Sequence, residues 1–196
     1  SCGGSPTEVA YTWDASPGSC PSGASCANQA GRLAYVKTVL LCDAGQGDGT
    51  LDQMTYFGYD AAGRTIGEYI TDDTGRIANQ SYVWDKNGNM TQVVAPSGVA
   101  MGLTFGGAGN SDANRATTLW RNNGTTTNLL TNITWAPFGP VTQYDQANTV
   151  SGGAIRAMLT WNLAYRASQI KHRFTATGAD RTKIDYTEDE KGRYTA

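Results

Sequence analysis

One pattern recurs along the whole chain and limits its fold more than any other feature. Alternating apolar residues end in an aromatic, a polar turn follows, and Gly-Arg or an equivalent leads into a second alternating stretch. The clearest copy is Tyr56-Phe57-Gly58-Tyr59-Asp60-Ala61-Ala62-Gly63-Arg64-Thr65, and a second is Tyr82-Val83-Trp84-Asp85-Lys86-Asn87-Gly88-Asn89-Met90. Variants run from Ile133 to Val141, from Leu159 to Arg166 and from Ile184 to Arg193. The first copy, Tyr11-Thr12-Trp13-Asp14, carries a long insertion before Gly31-Arg32-Leu33. The anchors Trp13, Tyr59, Trp84, Trp135, Trp161 and Tyr186 are separated by 46, 25, 51, 26 and 25 residues. These are single or double multiples of one period, which fits two strands and two turns. Each double gap is expected to hold a weaker unit, the second beginning at Leu103-Thr104-Phe105-Gly106 and looping through Asn114-Arg115.

The turns have a chemical rationale. An Asp after the aromatic accepts hydrogen bonds from turn N–H groups, and the later Gly supplies positive φ. The opposite hairpin ends carry their own turn signals at Asp72-Asp73-Thr74-Gly75, Pro96-Ser97-Gly98, Asn122-Asn123-Gly124 and Ser151-Gly152-Gly153. Thr187–Lys191, the one helix-like stretch, reads better as a repeat turn. Period-2 alternation is clear where Thr55, Phe57 and Tyr59 oppose Tyr56 and Gly58. The expected fold is all-β: a long antiparallel meander of repeated hairpins in a curved, twisted sheet. Residues 1–196 read as one repetitive domain, with a disulfide-stapled hairpin at 1–46.

Composition agrees. Charged residues make up 16%, and Gly occurs 24 times, which disfavours a helical bundle. The net charge of −2 comes without a basic stripe, so no nucleic-acid partner is implied. No apolar run approaches the roughly 20 residues of a membrane helix, so no membrane span is expected.

The cysteines Cys2, Cys20, Cys26 and Cys42 all fall in the first quarter, and their spacing does not resemble a zinc site. Pairing the Tyr11–Trp13 strand with Leu33–Tyr35 would place Cys20 opposite Cys26 and Cys2 opposite Cys42 on one ladder. Disulfides Cys20–Cys26 and Cys2–Cys42 are therefore expected, with a secreted or cell-surface location.

The run Tyr59-Asp60-Ala61-Ala62-Gly63-Arg64, with Trp84-Asp85-Lys86-Asn87-Gly88-Asn89 and Trp13-Asp14…Gly31-Arg32-Leu33, resembles the YD-repeat, or Rhs, family. Trp135-Ala136-Pro137-Phe138-Gly139-Pro140 resembles a family variant with a Pro-Phe-Gly turn. The resemblance covers essentially the whole chain. It implies a β-strip spiralling into a hollow shell, as in bacterial polymorphic toxins, toxin-complex shells and teneurins. In bacterial members such shells enclose a C-terminal toxin or effector. It also implies that Trp13, Asp14, Tyr59, Asp60, Gly63, Arg64, Trp84, Asp85, Trp135, Trp161 and Tyr186 are structural and carry no chemistry. The partners it implies are the rest of the shell and an encapsulated polypeptide, and the chain is expected to be a fragment of a larger protein. Ala136 stands where the Asp belongs, Pro140 where the Arg belongs and Tyr165 where the Gly belongs, so altered turns are expected there. The family's self-cleaving Asp-Pro-x-Gly signature is absent, so autoproteolysis is not expected.

No catalytic residue, metal ligand or cofactor emerges. His172 is the only histidine, no G-x-S-x-G occurs, and the carboxylate pairs Asp72-Asp73 and Glu188-Asp189-Glu190 read as solvated turns. A calcium site at Asp43…Asp48-Gly49 or at Asp72/Asp73 lacks a spaced ligand loop. Four N-x-[ST] sequons, at Asn79, Asn89, Asn123 and Asn132, carry little weight in an Asn- and Thr-rich chain. The chain is expected to be no enzyme. One alternative stays open: a secreted carbohydrate-binding or adhesion module using Trp84 and Trp135 to stack on glycans. Packing of each anchor against its neighbour outweighs it, because the anchors hold one repeat position.

Overall fold

The computed structural model describes residues 6–14, 20, 24–41, 50–72, 77–106, 114–137, 139–147, 153–189 and 193–195. The chain divides into two compact units, Ser1–Ala100 and Met101–Ala196. The first unit holds β1 (Pro6–Trp13), β2 (Leu33–Leu41), β3 (Thr50–Tyr59), β4 (Thr65–Asp72), β5 (Ile77–Trp84) and β6 (Met90–Val94). β7 (Ala100–Phe105) starts at the boundary. The second unit continues with β8 (Ala116–Asn122), β9 (Thr126–Trp135), β10 (Val141–Gln146), β11 (Ile155–Trp161), β12 (Ala167–Phe174) and β13 (Asp180–Asp185). A small pair, β14 (Thr187–Glu188) and β15 (Tyr194–Thr195), follows.

The 13 strands β1 to β13 hydrogen-bond in chain order, so the sheet is an antiparallel meander. There is no helix among the described residues. In β1–β2, Trp13 faces Leu33 and, past a bulge, Thr12 faces Tyr35, close to the register that the sequence suggests. Two expectations need correction here. The ladder closes at Asp14, whose N–H donates to the Arg32 carbonyl at 3.1 Å. Cys20 and Cys26 therefore lie in the loop beyond the ladder rather than on it, although their sulfurs are bonded to each other. Cys2 and Cys42 lie outside the described residues. The 46-residue gap between Trp13 and Tyr59 also holds no weaker hairpin unit among the described residues. Its extra length sits in the insertion between Asp14 and Arg32 and in the link between β2 and β3. The second long gap does contain a unit, β7–β8.

The repeat turn has a recurring backbone form, clearest at Asp60–Arg64. Asp60 N–H donates to the Arg64 carbonyl at 2.9 Å, and Gly63 N–H donates back to the Asp60 carbonyl at 3.0 Å. Gly63 has φ +87°, and the ladder shifts register between Gly58 and Tyr59. This is a three-residue hairpin loop: a type I turn followed by a left-handed residue that forms a bulge. The same two bonds close Asp85–Asn89, Ala95–Val99, Ala136–Pro140 and Asn162–Arg166. At Ala136–Pro140 the two bonds persist but Gly139 does not take the positive φ of Gly63, so the altered turn expected there is found in part; at Asn162–Arg166 it is not found. Main-chain bonds define the loop, so the side chains at its ends can change. Tyr165 takes the left-handed position itself, at φ +57°.

Few side chains are buried. Among the described apolar residues these are Ala34, Tyr69, Ala100 and Ala157. Cross-strand neighbours supply part of what such side chains pack on. Tyr35 and Tyr56, which are register partners, show this kind of contact with ring centroids 5.7 Å apart.

At Gly88, φ is +87° and an added Cβ meets nothing within 4 Å, so only backbone strain opposes a side chain. Gly88→Ala should cost about 1–2 kcal/mol in urea unfolding, and Gly88→Asn less, because Asn tolerates the left-handed region. Equal stabilities for the wild type and both variants would refute this account of the turn.

Candidate functional site: the linked repeat turns

Within each unit, a repeat turn is tied to the next by side chains that reach across one hairpin. In the first unit the Arg64 guanidinium makes two kinds of bond. Its Nε donates to Asp60 Oδ2 at 2.6 Å, within its own turn. Its Nη1 donates to the Asp85 carbonyl of the following turn at 2.7 Å, and the group lies 5.7 Å from the Trp84 ring centroid. Trp84 answers in the other direction, its indole Nε1 donating to the Thr65 carbonyl at 2.7 Å. One hairpin back, the Tyr59 hydroxyl donates to the Leu33 carbonyl at 2.9 Å, with Arg32 5.5 Å from its ring centroid.

The second unit repeats the arrangement. Trp135 Nε1 donates to the Ala116 carbonyl at 2.8 Å, and Trp161 Nε1 donates to the Val141 carbonyl at 2.8 Å. Arg115 Nη1 donates to the Ala136 carbonyl at 2.6 Å. In every case the acceptor of the aromatic's bond is the residue just after the Arg position of the preceding turn. Trp13, on the first hairpin, is 60% exposed. Trp84, Trp135 and Trp161 are half-buried.

Two turn carboxylates, Asp60 and Asp85, are held as anions. Asp60 lies below its ordinary value, first through the Arg64 backbone N–H, then through the Arg64 side chain. Asp85 is lowered first by the Asn89 side-chain amide and then by turn N–H groups. Asn162 fills the same place, its Oδ1 accepting from the N–H groups of Ala164 and Arg166. Asp14 Oδ1 accepts from Gly31 N–H across the insertion.

The last repeat corrects the anchor assigned to Tyr186. The final turn is Asp189–Arg193, closed by Asp189 N–H to the Arg193 carbonyl at 2.9 Å. The anchor position just before it is Glu188. Arg166 Nη1 donates to Glu188 Oε2 at 3.3 Å, and Asn162 Nδ2 donates to Oε1 at 3.1 Å. An ion pair stands where the other repeats have an aromatic ring. Tyr186 packs on Tyr194 instead, at 5.2 Å between ring centroids. Counting back from Gly192-Arg193 to the turn Asp would have found Glu188.

Asp145 is among the residues that sequence reasoning missed. It is 5% exposed and sits opposite Arg156 in the β10–β11 ladder. Arg156 Nε and Nη2 donate to its two oxygens at 2.6 and 2.8 Å, and Asn132 Nδ2 donates to Oδ2 at 2.8 Å. Asn132 occupies a left-handed position, φ +52°, where β9 and β10 shift register. No repeat signature marks these residues, because they meet only through cross-strand register.

The other sequence candidates do not converge. His172 lies mid-strand in β12, opposite Ala157 and Thr182. Glu188 and Asp189 are engaged by Arg166 and Arg193. Asp43, Asp48, Gly49, Asp73 and Glu190 lie outside the described residues. Trp84 and Trp135, the candidate sugar contacts, both have their indole N–H bonded to main chain.

Comparison with solved structures gives a fold match. A crystal structure of TcdB2-TccC3-Cdc42 superposes with a TM-score of 0.59 at 12% identity, over 83% of this chain and 10% of that one. A structure of the Photorhabdus luminescens Tc holotoxin pore, with a mutation in TccC3, gives 0.56 at 13% identity, over 85% and 8%. The fold is that of a YD-repeat sheet. This chain spans a tenth or less of the length of those two chains. No protein-family model matches, and no curated protein matches.

The contacts to main chain set the cost of losing an anchor. Trp84→Phe, Trp135→Phe and Trp161→Phe should each cost about 1 kcal/mol by urea denaturation, the worth of one lost hydrogen bond. Trp13→Phe should stay within about 0.5 kcal/mol, as for an exposed position. Asp145 lies below its ordinary value of 3.8, chiefly through Arg156 and then Asn132. Because its folded value is depressed, its stabilisation is complete above 3.8 and is lost as pH falls through the lower folded value. Asp145→Asn should cost about 1–2 kcal/mol at neutral pH, and the gap to wild type should narrow in acid. A gap that does not change with pH would remove the charge from the explanation.

Proposed function

We propose that this chain is a non-catalytic wall segment of a YD-repeat shell that encloses a polypeptide. The observation that carries the reading is the side-chain link between successive repeat turns within each unit. A hairpin bonded this way serves as one course in a continuing wall, and its repeat residues are used up in building it. The fold likeness to toxin-complex chains supports the same reading, and the enclosed partner would be a toxin or effector segment. The repeat runs through both units, so residues 1–196 are read as one repetitive structural domain of a longer protein. The Cys20–Cys26 disulfide supports an extracytoplasmic, secreted or cell-surface setting.

The glycan-binding alternative has less support. A stacking platform needs an open ring face, and the Arg64 guanidinium lies near the Trp84 ring while Trp135 is half-buried.

Limited proteolysis and cross-linking of the intact polypeptide that carries this sequence would test the reading. The expected result is a segment outside the repeats that resists protease while the wall is folded and that cross-links to lysines of this region. Absence of any protected segment would overturn it. So would specific glycan binding that is lost in a still-folded Trp84→Ala/Trp135→Ala protein.

A further inference from the structure

The insertion between Asp14 and Arg32 does more than lengthen a turn. Direct pairing of β2 and β3 runs from Leu41↔Thr50 to Tyr35↔Tyr56, and the next pair in that register would be Ala34 with Phe57. Residues 25–29 take that place. The Gln29 side-chain amide donates to the Ala34 carbonyl at 3.2 Å and to the Phe57 carbonyl at 2.8 Å, bridging the two strands. The Ala27 carbonyl accepts from Tyr59 N–H at 3.1 Å, and Asn28 Nδ2 donates to the Tyr59 carbonyl at 2.9 Å. Ser25 N–H donates to the Tyr69 hydroxyl at 3.1 Å.

The fit is close. Gly58 is buried, and a Cβ there would come within 1.8 Å of the Ser25 carbonyl oxygen. Gln29 is 5% exposed, and its Oε1 has no partner. A buried amide with an unpaired oxygen makes this segment costly to hold in place. A covalent tie supplies the restraint: Cys26 lies within the segment and is bonded to Cys20. Both cysteines are partly exposed, so a thiolate can reach them.

We propose that the segment around Gln29 is a redox-controlled clasp between β2 and β3. The Cys20–Cys26 disulfide holds it closed, and a dithiol reductant releases it. The bond takes two electrons and two protons from the reductant's thiols. These close to a disulfide of their own, and Cys20 and Cys26 become thiols. The freed Ala34 and Phe57 carbonyls are then left to water or to direct pairing of β2 with β3. The inference concerns this hairpin pair and holds whatever the sheet encloses.

Amide hydrogen exchange on the chain, oxidised and after dithiothreitol treatment, tests it, with thiols counted by alkylation and mass spectrometry. On reduction, exchange at Tyr59 and Ser25 should rise on the order of tenfold to a hundredfold, the effect of freeing a short cross-linked loop. Exchange at Asp85, in the next repeat turn of the same unit, should not change. Gly58→Ala should raise Tyr59 exchange with the disulfide intact. Unchanged Tyr59 exchange in fully reduced protein would overturn the proposal, as would free thiols at Cys20 and Cys26 before reduction. A rise that includes Asp85 would overturn it too, since it would report general unfolding.

Discussion

A hairpin tip presents main-chain carbonyls that its own ladder leaves unpaired, and in this protein the neighbouring hairpin supplies their donors. An indole or phenol reaches back to the residue after the Arg position, and an arginine reaches forward to the residue after the aromatic. The Trp84–Thr65 and Arg64–Asp85 bonds are the clearest reciprocal pair. Each donor is the polar end of a side chain whose body covers the sheet. One residue therefore covers apolar surface and satisfies backbone at once. Without these bonds, a sheet with so few buried side chains would have little beyond its ladders to hold adjacent turns together.

Stability in such an arrangement is local. Within each unit, successive hairpins lean on one another, as in other repeat proteins. The contrast along the chain illustrates this. Trp13 is largely exposed, while the anchors that follow it bond to an earlier turn. The Asp145–Arg156–Asn132 group adds a different kind of tie, through cross-strand register rather than through the turns.

The repeat spacing and the polar turn residues make the meander legible, because period and turn chemistry are local properties of a sequence. The Asp60 and Asp85 turns follow from their residues alone. What stays hidden depends on distant strands meeting. The Asp145 cluster has no spacing signature, and Gln29 reads as an ordinary loop residue until its amide is found between Ala34 and Phe57. Glu188 is masked by an aromatic, Tyr186, that lies two residues upstream and fits the period. The ladder that would set Cys20 opposite Cys26 ends at Asp14 and Arg32, short of both. Nearness within a short loop is the sounder reason for their pairing.

The turn at Asn162–Arg166 shows how loosely side chains are bound to this architecture. Tyr165 stands where glycine is usual, and Ala136 and Pro140 replace the acid and base of another turn, yet the same two main-chain bonds close each loop. When geometry is stored in the backbone, mutation can erode the written motif while the object it describes persists. Lineages built on this plan should then diverge beyond the reach of sequence comparison long before their shapes part. Ancestry among them would have to be traced through coordinates rather than through letters.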